Sequence, residues 1–189
     1  MKNGNLYRQL TDEELVEQIV QTKNLALFEV LYDRYSSVVF NKCHSFVKND
    51  AEAQDLTQDV FLRLFIKLGS FKGNSKFKTW LYALMYNYCI NYVNRNSSKQ
   101  IEKNSIQFED YNSPLVEASK ESLFEIKVDR LKRALNLVAP EDKMILLLKY
   151  QDDMSIKEIS EIMELGKSAV KMRLKRARQR IMLIHIKIK

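Results

Sequence analysis

Apolar residues recur at three- and four-residue spacing along two stretches of this chain, and between the stretches the rhythm fails. That spacing places apolar side chains on one side of an α-helix, so the pattern predicts helices packed in two separate groups. Thr11 and Glu14 form a capping box that opens a short helix through Leu15, Ile19 and Val20. Asn24 starts a longer one, with Phe28, Leu31, Tyr35, Val38 or Val39, and Phe46 inward. Asn49 with Glu52 caps a third, whose stripe is Ala53, Leu56, Val60, Leu64 and Leu68, widened by Phe61 and Phe65. After a turn-rich break at 69–74, Ser75 opens a fourth with Phe77, Leu81, Leu84 and Tyr88 on one side. From 96 to about 119 the stretch "NSSKQIEKNSIQFEDYNSPLVEAS" is polar, mixed in charge and aperiodic, and reads as a linker. Periodicity resumes with Leu123 or Phe124, Leu131, Leu135 and Val138. Pro140 then suits the first turn of a helix carrying Met144, Ile145, Leu147 and Leu148. Ser155 with Glu158 is a second capping box. The reading is all-α: a lead-in helix at 1–23, a helical domain at 24–96, a flexible linker at 97–122 and a second helical domain at 123–185.

Composition closes off the alternatives. Four glycines and two prolines in 189 residues are too few for a fold built on tight turns. No apolar run approaches the 18 or so residues that span a bilayer, and "MKNGNLYRQLTDEEL" has no secretory h-region, so a cytoplasmic chain without membrane insertion is expected. Cys43 and Cys89 fit reduced, buried thiols, and neither they nor His44 and His185 have metal-ligand spacing. No metal or other cofactor is expected.

Charge is distributed unevenly. No acid follows Glu164, and nine basic residues do, so the segment from Leu165 onward carries +9 of a net +7 and the remainder sums to −2. A field of one sign attracts polyanions and weakens steeply with salt. Within this segment "GKSAVKMRLKRARQR" begins with Gly-Lys-Ser, the end of a phosphate-binding loop. Such a loop also needs a glycine five residues before Gly166 and an apolar strand ahead of it. Glu161 stands there, and residues 155–163 have helical spacing, so the nucleotide-loop reading fails.

"SIKEISEIMELGKSAVKMRLKRARQR" instead has the layout of a helix-turn-helix. Ile156, Ile159 and Ile162 or Met163 face inward on the first helix; Val170 and Leu174, with Ala169 and Ala177 nearby, do so on the second. The N-terminal residues of the second helix, Lys167, Ser168, Lys171 and Met172, are placed to meet base edges in the major groove. Arg173, Arg176 and Arg178 are placed to meet phosphates.

The first domain carries two further constellations. Asp55, Gln58, Asp59 and Leu62 share one side of the third helix at i, i+3, i+4 and i+7, an acid-and-amide patch that suits either a basic helical partner or plain solvation. "FKGNSKFKTWLYALMYNYCINYVNR" interleaves Lys72, Lys76, Lys78 and Arg95 with Phe77, Trp80, Tyr82, Tyr86, Tyr88 and Tyr92, and sets Asn87, Asn91 and Asn94 along the same helix. Cations, stacking rings and amides bind single-stranded nucleic acid. Some of the rings belong to the core instead, Phe77 and Tyr88 among them.

Taken in order, these pieces resemble the extracytoplasmic function (ECF) RNA polymerase sigma factors of the sigma-70 family. "DLTQDVFLRLF" is similar to the family's region 2.2, the aromatic-basic stretch to regions 2.3 and 2.4, and "PEDKMILLLKYQDDMSIKEISEIMELGKSAVKMRLKRARQRI" to region 4. The resemblance implies a non-enzymatic protein that binds core RNA polymerase and directs it to promoters. It implies that Asp55, Leu56, Gln58, Asp59, Phe61 and Leu62 meet the polymerase. It implies that Lys72, Asn74, Lys76, Lys78, Thr79, Trp80, Asn87, Asn91 and Arg95 meet an opened −10 element. It also implies that Lys167, Ser168, Lys171, Met172, Arg173, Lys175, Arg176 and Arg178 meet a duplex −35 element. A separate anti-sigma factor is a further implied partner. The chain departs from the family pattern where Glu164 replaces a turn glycine and Gly166 a small polar residue, which leaves Gly166 as either the last turn residue or the helix cap. A stand-alone helix-turn-helix regulator is the competing reading, and it leaves the aromatic-basic helix and the acid patch unused.

Overall fold

The computed structural model describes residues 7–47, 49–101 and 128–187, and every regular element among them is helical. In chain order these are α1 (Asp12–Thr22), α2 (Leu25–His44), α3 (Asp50–Lys67), a 3-10 turn at Leu68–Ser70, and α4 (Phe77–Ile101). There follow α5 (Val128–Leu137), α6 (Pro140–Leu146), a π-helical turn at Leu147–Gln151, α7 (Ile156–Ile162) and α8 (Lys167–Lys187). The chain divides into two compact units, Met1–Asn91 and Tyr92–Lys189. Leu123 and Phe124, and most of the stretch read as a linker, lie outside the described residues. The start of that stretch, from 97, is helical, because α4 runs on to Ile101 with no glycine or proline to stop it.

In the first unit α1, α2, α3 and α4 bury one side each. The three-and-four spacing left a choice at several positions, and packing makes it. On α2 the inward set is Leu27, Leu31, Tyr35, Val39 and Cys43, so Val39 rather than Val38 faces the core and Leu27 takes the place expected of Phe28. On α4 the inward set is Phe77, Leu81, Tyr82, Met85, Tyr86, Cys89 and Ile90, with Leu84 and Tyr88 at the edge. Two acids of α1 bind the bundle together. Asp12 pairs with Arg34 at 2.6 Å and accepts a hydrogen bond from the Tyr35 hydroxyl. Arg34 also donates to the carbonyls of Arg8 and Leu10, fixing the approach to α1. Glu13 Oε1 accepts from the Phe77 backbone N–H at 2.8 Å, so a neighbouring helix satisfies an orphan donor at the start of α4. Ser75 was expected to open this helix; its hydroxyl donates to the Lys76 carbonyl at 3.4 Å instead.

The second unit buries Met144, Ile145 and Leu148 against Ile159, Ile162, Val170, Leu174, Ala177 and Ile181. Both capping boxes are present, Thr11 with Glu14 and Ser155 with Glu158. α7 closes with Glu164 in the left-handed region at φ 52°, and the Leu165 N–H reaches back to the Ser160 carbonyl at 3.1 Å. This is a six-to-one helix stop, in which glycine is the usual left-handed residue. The Val170 N–H bonds to the Gly166 carbonyl at 3.0 Å, which makes Gly166 the cap of α8 and Glu164 the strained turn residue.

Two stability measurements follow. A left-handed L-residue costs about 1–2 kcal/mol, partly offset by the extra freedom glycine has when unfolded. Glu164→Gly is therefore expected to stabilise the chain by about 0.5–1 kcal/mol in urea titration. Lys143 is buried, donates to Asn136 Oδ1 at 2.7 Å, and burial pulls its ammonium down to about 8. Between that value and the ordinary value of 10.5 the unfolded chain holds a proton that the folded chain has released. Stability is expected to rise with pH through this window, and Lys143→Met to flatten the rise.

Candidate nucleic-acid and polymerase interfaces

Helix α3 shows how the first candidate surface arises. Ala53, Leu56, Val60, Phe61 and Leu64 hold its buried side, which leaves Asp55, Gln58, Asp59 and Leu62 exposed on the other. Leu56 and Phe61 thus support the patch from beneath and take no part in its exposed surface. Ile66, four residues beyond Leu62, extends the same side and is 71% exposed; the sequence reading omitted it although the spacing was visible. Phe61 also packs on Tyr32 in a tilted pair with ring centroids 4.5 Å apart, and Phe65 meets Phe28 edge-on at 5.1 Å.

Asp59 has a partner that sequence reasoning missed. The Tyr88 hydroxyl of α4 donates to Asp59 Oδ2, and the Arg63 guanidinium lies 4.4 Å from the Tyr88 ring centroid. Burial, then the Asp59 hydrogen bond and charge, push the Tyr88 hydroxyl up to about 12. A pairing across 29 residues leaves no periodic trace in sequence.

The aromatic-basic stretch divides by burial. Phe77, Tyr82 and Tyr86 are core residues, and so is Thr79, whose exposure of 4% removes it from any direct contact in this conformation. Lys72, Asn74 and Lys76 are exposed in the loop before α4, where Gly73 takes φ 70°. Trp80 is half-buried, packed 5.5 Å from Phe71 and 6.1 Å from Phe77. Trp80, Asn87 and Asn91 stand at i, i+7 and i+11, so they line one side of α4 over about 16 Å. Asn87, Asn91 and Arg95 are exposed. Lys78 lies apart from this row, its ammonium 5.6 Å from the Tyr82 ring centroid.

On α8 the buried line Val170, Leu174, Ala177 and Ile181 leaves Lys167, Ser168, Lys171, Met172 and Arg176 exposed. Lys175, Arg178 and Arg173 are half-buried along its flanks. Arg173 Nε lies 3.8 Å from Asp142 of α6, and Arg180 bonds to the other oxygen of the same carboxylate. Asp142 takes no part in the sequence reading, and nothing in its spacing announces this pairing.

Comparison with known proteins decides what these surfaces belong to. A family model for sigma-70 region 2 matches residues 31–99, and one for sigma-70 region 4 matches residues 129–181. The chain is 31% identical to the ECF RNA polymerase sigma-E factor of Escherichia coli K12 over 92% of its own length and 93% of that protein. The chain belongs to the ECF sigma factors of the sigma-70 family. It is 27% identical to the RNA polymerase sigma-H factor of Pseudomonas aeruginosa, across 90% of this chain and 91% of that one. Its fold is similar to the solved structure of CnrH in complex with the cytosolic domain of CnrY, with TM-score 0.67, 18% identity and 94% of this chain and 99% of that chain covered. It is also similar to the sigma factor RpoE of Bartonella quintana bound to the anti-sigma factor NepR, with TM-score 0.62, 19% identity, and 86% and 98% covered. As an ECF sigma factor it directs core RNA polymerase to promoters through −10 and −35 elements. No helix among the described residues is long and apolar enough to cross a membrane.

The two kinds of contact expected of α8 are separable by experiment. Lys171→Ala is expected to change the preference among −35 sequences selected from a randomised duplex library. Arg178→Ala is expected to weaken all of them alike, by about fivefold to tenfold, and to flatten the salt slope by about one.

Proposed function

We propose that this ECF sigma factor works through three helix faces, each assembled on the exposed side of a helix whose opposite side is core. Asp55, Gln58, Asp59 and Leu62 of α3 dock on core RNA polymerase, with Leu56 and Phe61 supporting them from below. Trp80, Asn87, Asn91 and Arg95 of α4, with Lys72, Asn74 and Lys76 of the preceding loop, hold the opened −10 strand. Bases that leave the stack are caught by rings and amides, which drives melting without bond chemistry by the sigma factor itself. The first turns of α8 read the −35 duplex, with Lys167, Ser168, Lys171 and Met172 at the bases and Arg173, Lys175, Arg176 and Arg178 toward the backbone. Domain limits of 24–96 and 123–185, joined by the linker, let the two readers reach separate elements. A cytoplasmic location follows from that work. CnrH and the Bartonella RpoE are each solved with a protein partner, NepR being an anti-sigma factor, and we extend to this chain a separate anti-sigma factor that masks its polymerase-binding face.

The observation that carries this reading is the acid-and-amide face of α3, exposed between core residues on a rigid 18-residue helix. A stand-alone regulator has no use for such a face. Run-off transcription with core enzyme on genomic fragments tests the whole scheme: promoter-specific transcripts that appear only when the chain is added support it. Tight binding to a palindrome without core enzyme, and no transcript, would sink it. Asp55→Ala combined with Asp59→Ala is expected to weaken core binding about tenfold, as two contacts near 0.7 kcal/mol each would require. Unchanged core affinity would remove α3 from the interface.

A further inference from the structure

Asp142 is 1% exposed and carries a formal charge, in the unit that holds most of the chain's cations. A buried carboxylate persists only where it is paired and hydrogen-bonded. Its partners are Arg180, through the terminal nitrogen Nη1, and Arg173, through the inner nitrogen Nε at 3.8 Å. The two arginines are seven residues apart, two turns of α8, and therefore lie on the same side of it. The mode of approach differs in a way that matters. Arginine presents five donors on a planar fork. Arg180 commits the end of its fork to the carboxylate. Arg173 approaches with the base of its fork at 3.8 Å, beyond hydrogen-bond distance, so its terminal nitrogens are not committed to the carboxylate, on a side chain 36% exposed. One carboxylate between two guanidinium groups also leaves one positive charge uncompensated.

Building on the reading of α8 as the DNA-facing helix, we propose that Asp142 is a positioning residue for DNA binding. It holds Arg180 as a fixed anchor between α6 and α8, and it braces Arg173 so that the terminal nitrogens of that arginine face a backbone phosphate. Arg173 and Arg180 look equivalent in sequence, two arginines in one basic run. The carboxylate assigns them different work. Moving Arg180 to a phosphate would strand a buried charge, so it stays. Arg173 keeps its Nε beside the carboxylate while its terminal nitrogens meet a phosphate, so its contact with DNA does not depend on Arg180.

The test uses holoenzyme reconstituted with the full chain and a labelled duplex selected by the wild-type holoenzyme from a randomised library. The readout is the slope of log affinity against log salt. Arg173→Gln is expected to flatten the slope by about one, the loss of one phosphate contact. Arg180→Gln is expected to lower the thermal midpoint and leave the slope alone. Asp142→Asn, which keeps the shape and removes the charge, is expected to flatten the slope as Arg173→Gln does. Combining it with Arg173→Gln should give no further change, because the two then act through one contact. An equal flattening by Arg180→Gln, or losses for Asp142→Asn and Arg173→Gln that add in full, overturns the proposal. Should Asp142→Asn fail to fold, the two arginine variants, at accessible positions, decide alone. A slope that responds to Arg178→Ala but not to Arg173→Gln overturns the brace while leaving the DNA reading intact. A slope that ignores both overturns the two together.

Discussion

A buried carboxylate, Asp142, ties the basic helix α8 to α6 and governs how it sits in its unit. The reason is helix length. α6 and α7 have seven residues each, far below what is stable alone in water, so only packing and polar ties hold α8 against them. Apolar contacts along Val170, Leu174, Ala177 and Ile181 fix which side of α8 is inward, but such contacts are non-directional. The pairing of Asp142 with Arg180 adds direction, because a charge-assisted hydrogen bond requires a particular rotation and height of the helix. Asp12 and Glu13 do comparable work in the first unit, one tying α1 to α2 and the other meeting the first turn of α4. Each unit is thus an apolar bundle whose register is set by a few acids.

The two candidate nucleic-acid surfaces differ in their physics, and the charge distribution follows that division. The segment from Leu165 onward carries +9 and the remainder of the chain −2. The long-range positive field is therefore centred on α8, while the candidate surface of the first unit offers amides, one accessible indole and a few cations that would act only at contact. Capture of an unstacked base needs shape and stacking more than field, so a weakly charged surface is sufficient there.

What the sequence made legible was what depends on neighbours along the chain. Both capping boxes form as their spacing predicted, since Thr11 with Glu14 and Ser155 with Glu158 are local by construction. The Gly166 question was also local, but it needed one backbone angle: once Glu164 is left-handed, Gly166 is free to cap. Where a helix is apolar on most sides, as α4 is, the pattern does not choose the inward face, and Met85, Tyr82 and Tyr86 displaced Leu84 and Tyr88. That displacement matters for the candidate site, because it moves Tyr82, Tyr86 and Thr79 from available groups to core. Pairings across the fold, Glu13 with Phe77, Tyr88 with Asp59 and Asp142 with Arg180, had no signature at all. They join residues 64, 29 and 38 positions apart, a separation that no helical periodicity registers.

Those long-range pairs have a common consequence for binding. An exposed acid or arginine on a free helix surface samples several rotamers, and ordering it on contact costs about 0.5–1.5 kcal/mol. Asp59 has been ordered in advance, because the Tyr88 hydroxyl holds one of its oxygens and Arg63 covers the ring behind. With that hydroxyl pushed up to about 12, the donor keeps its proton at neutral pH. A carboxylate has about four acceptor sites, so one internal hydrogen bond leaves capacity for a partner's cation. Arg173 stands in the same relation to Asp142. In both places a buried or half-buried group lies against a charged side chain at the surface, so a partner bound there would find part of the ordering cost already met by folding.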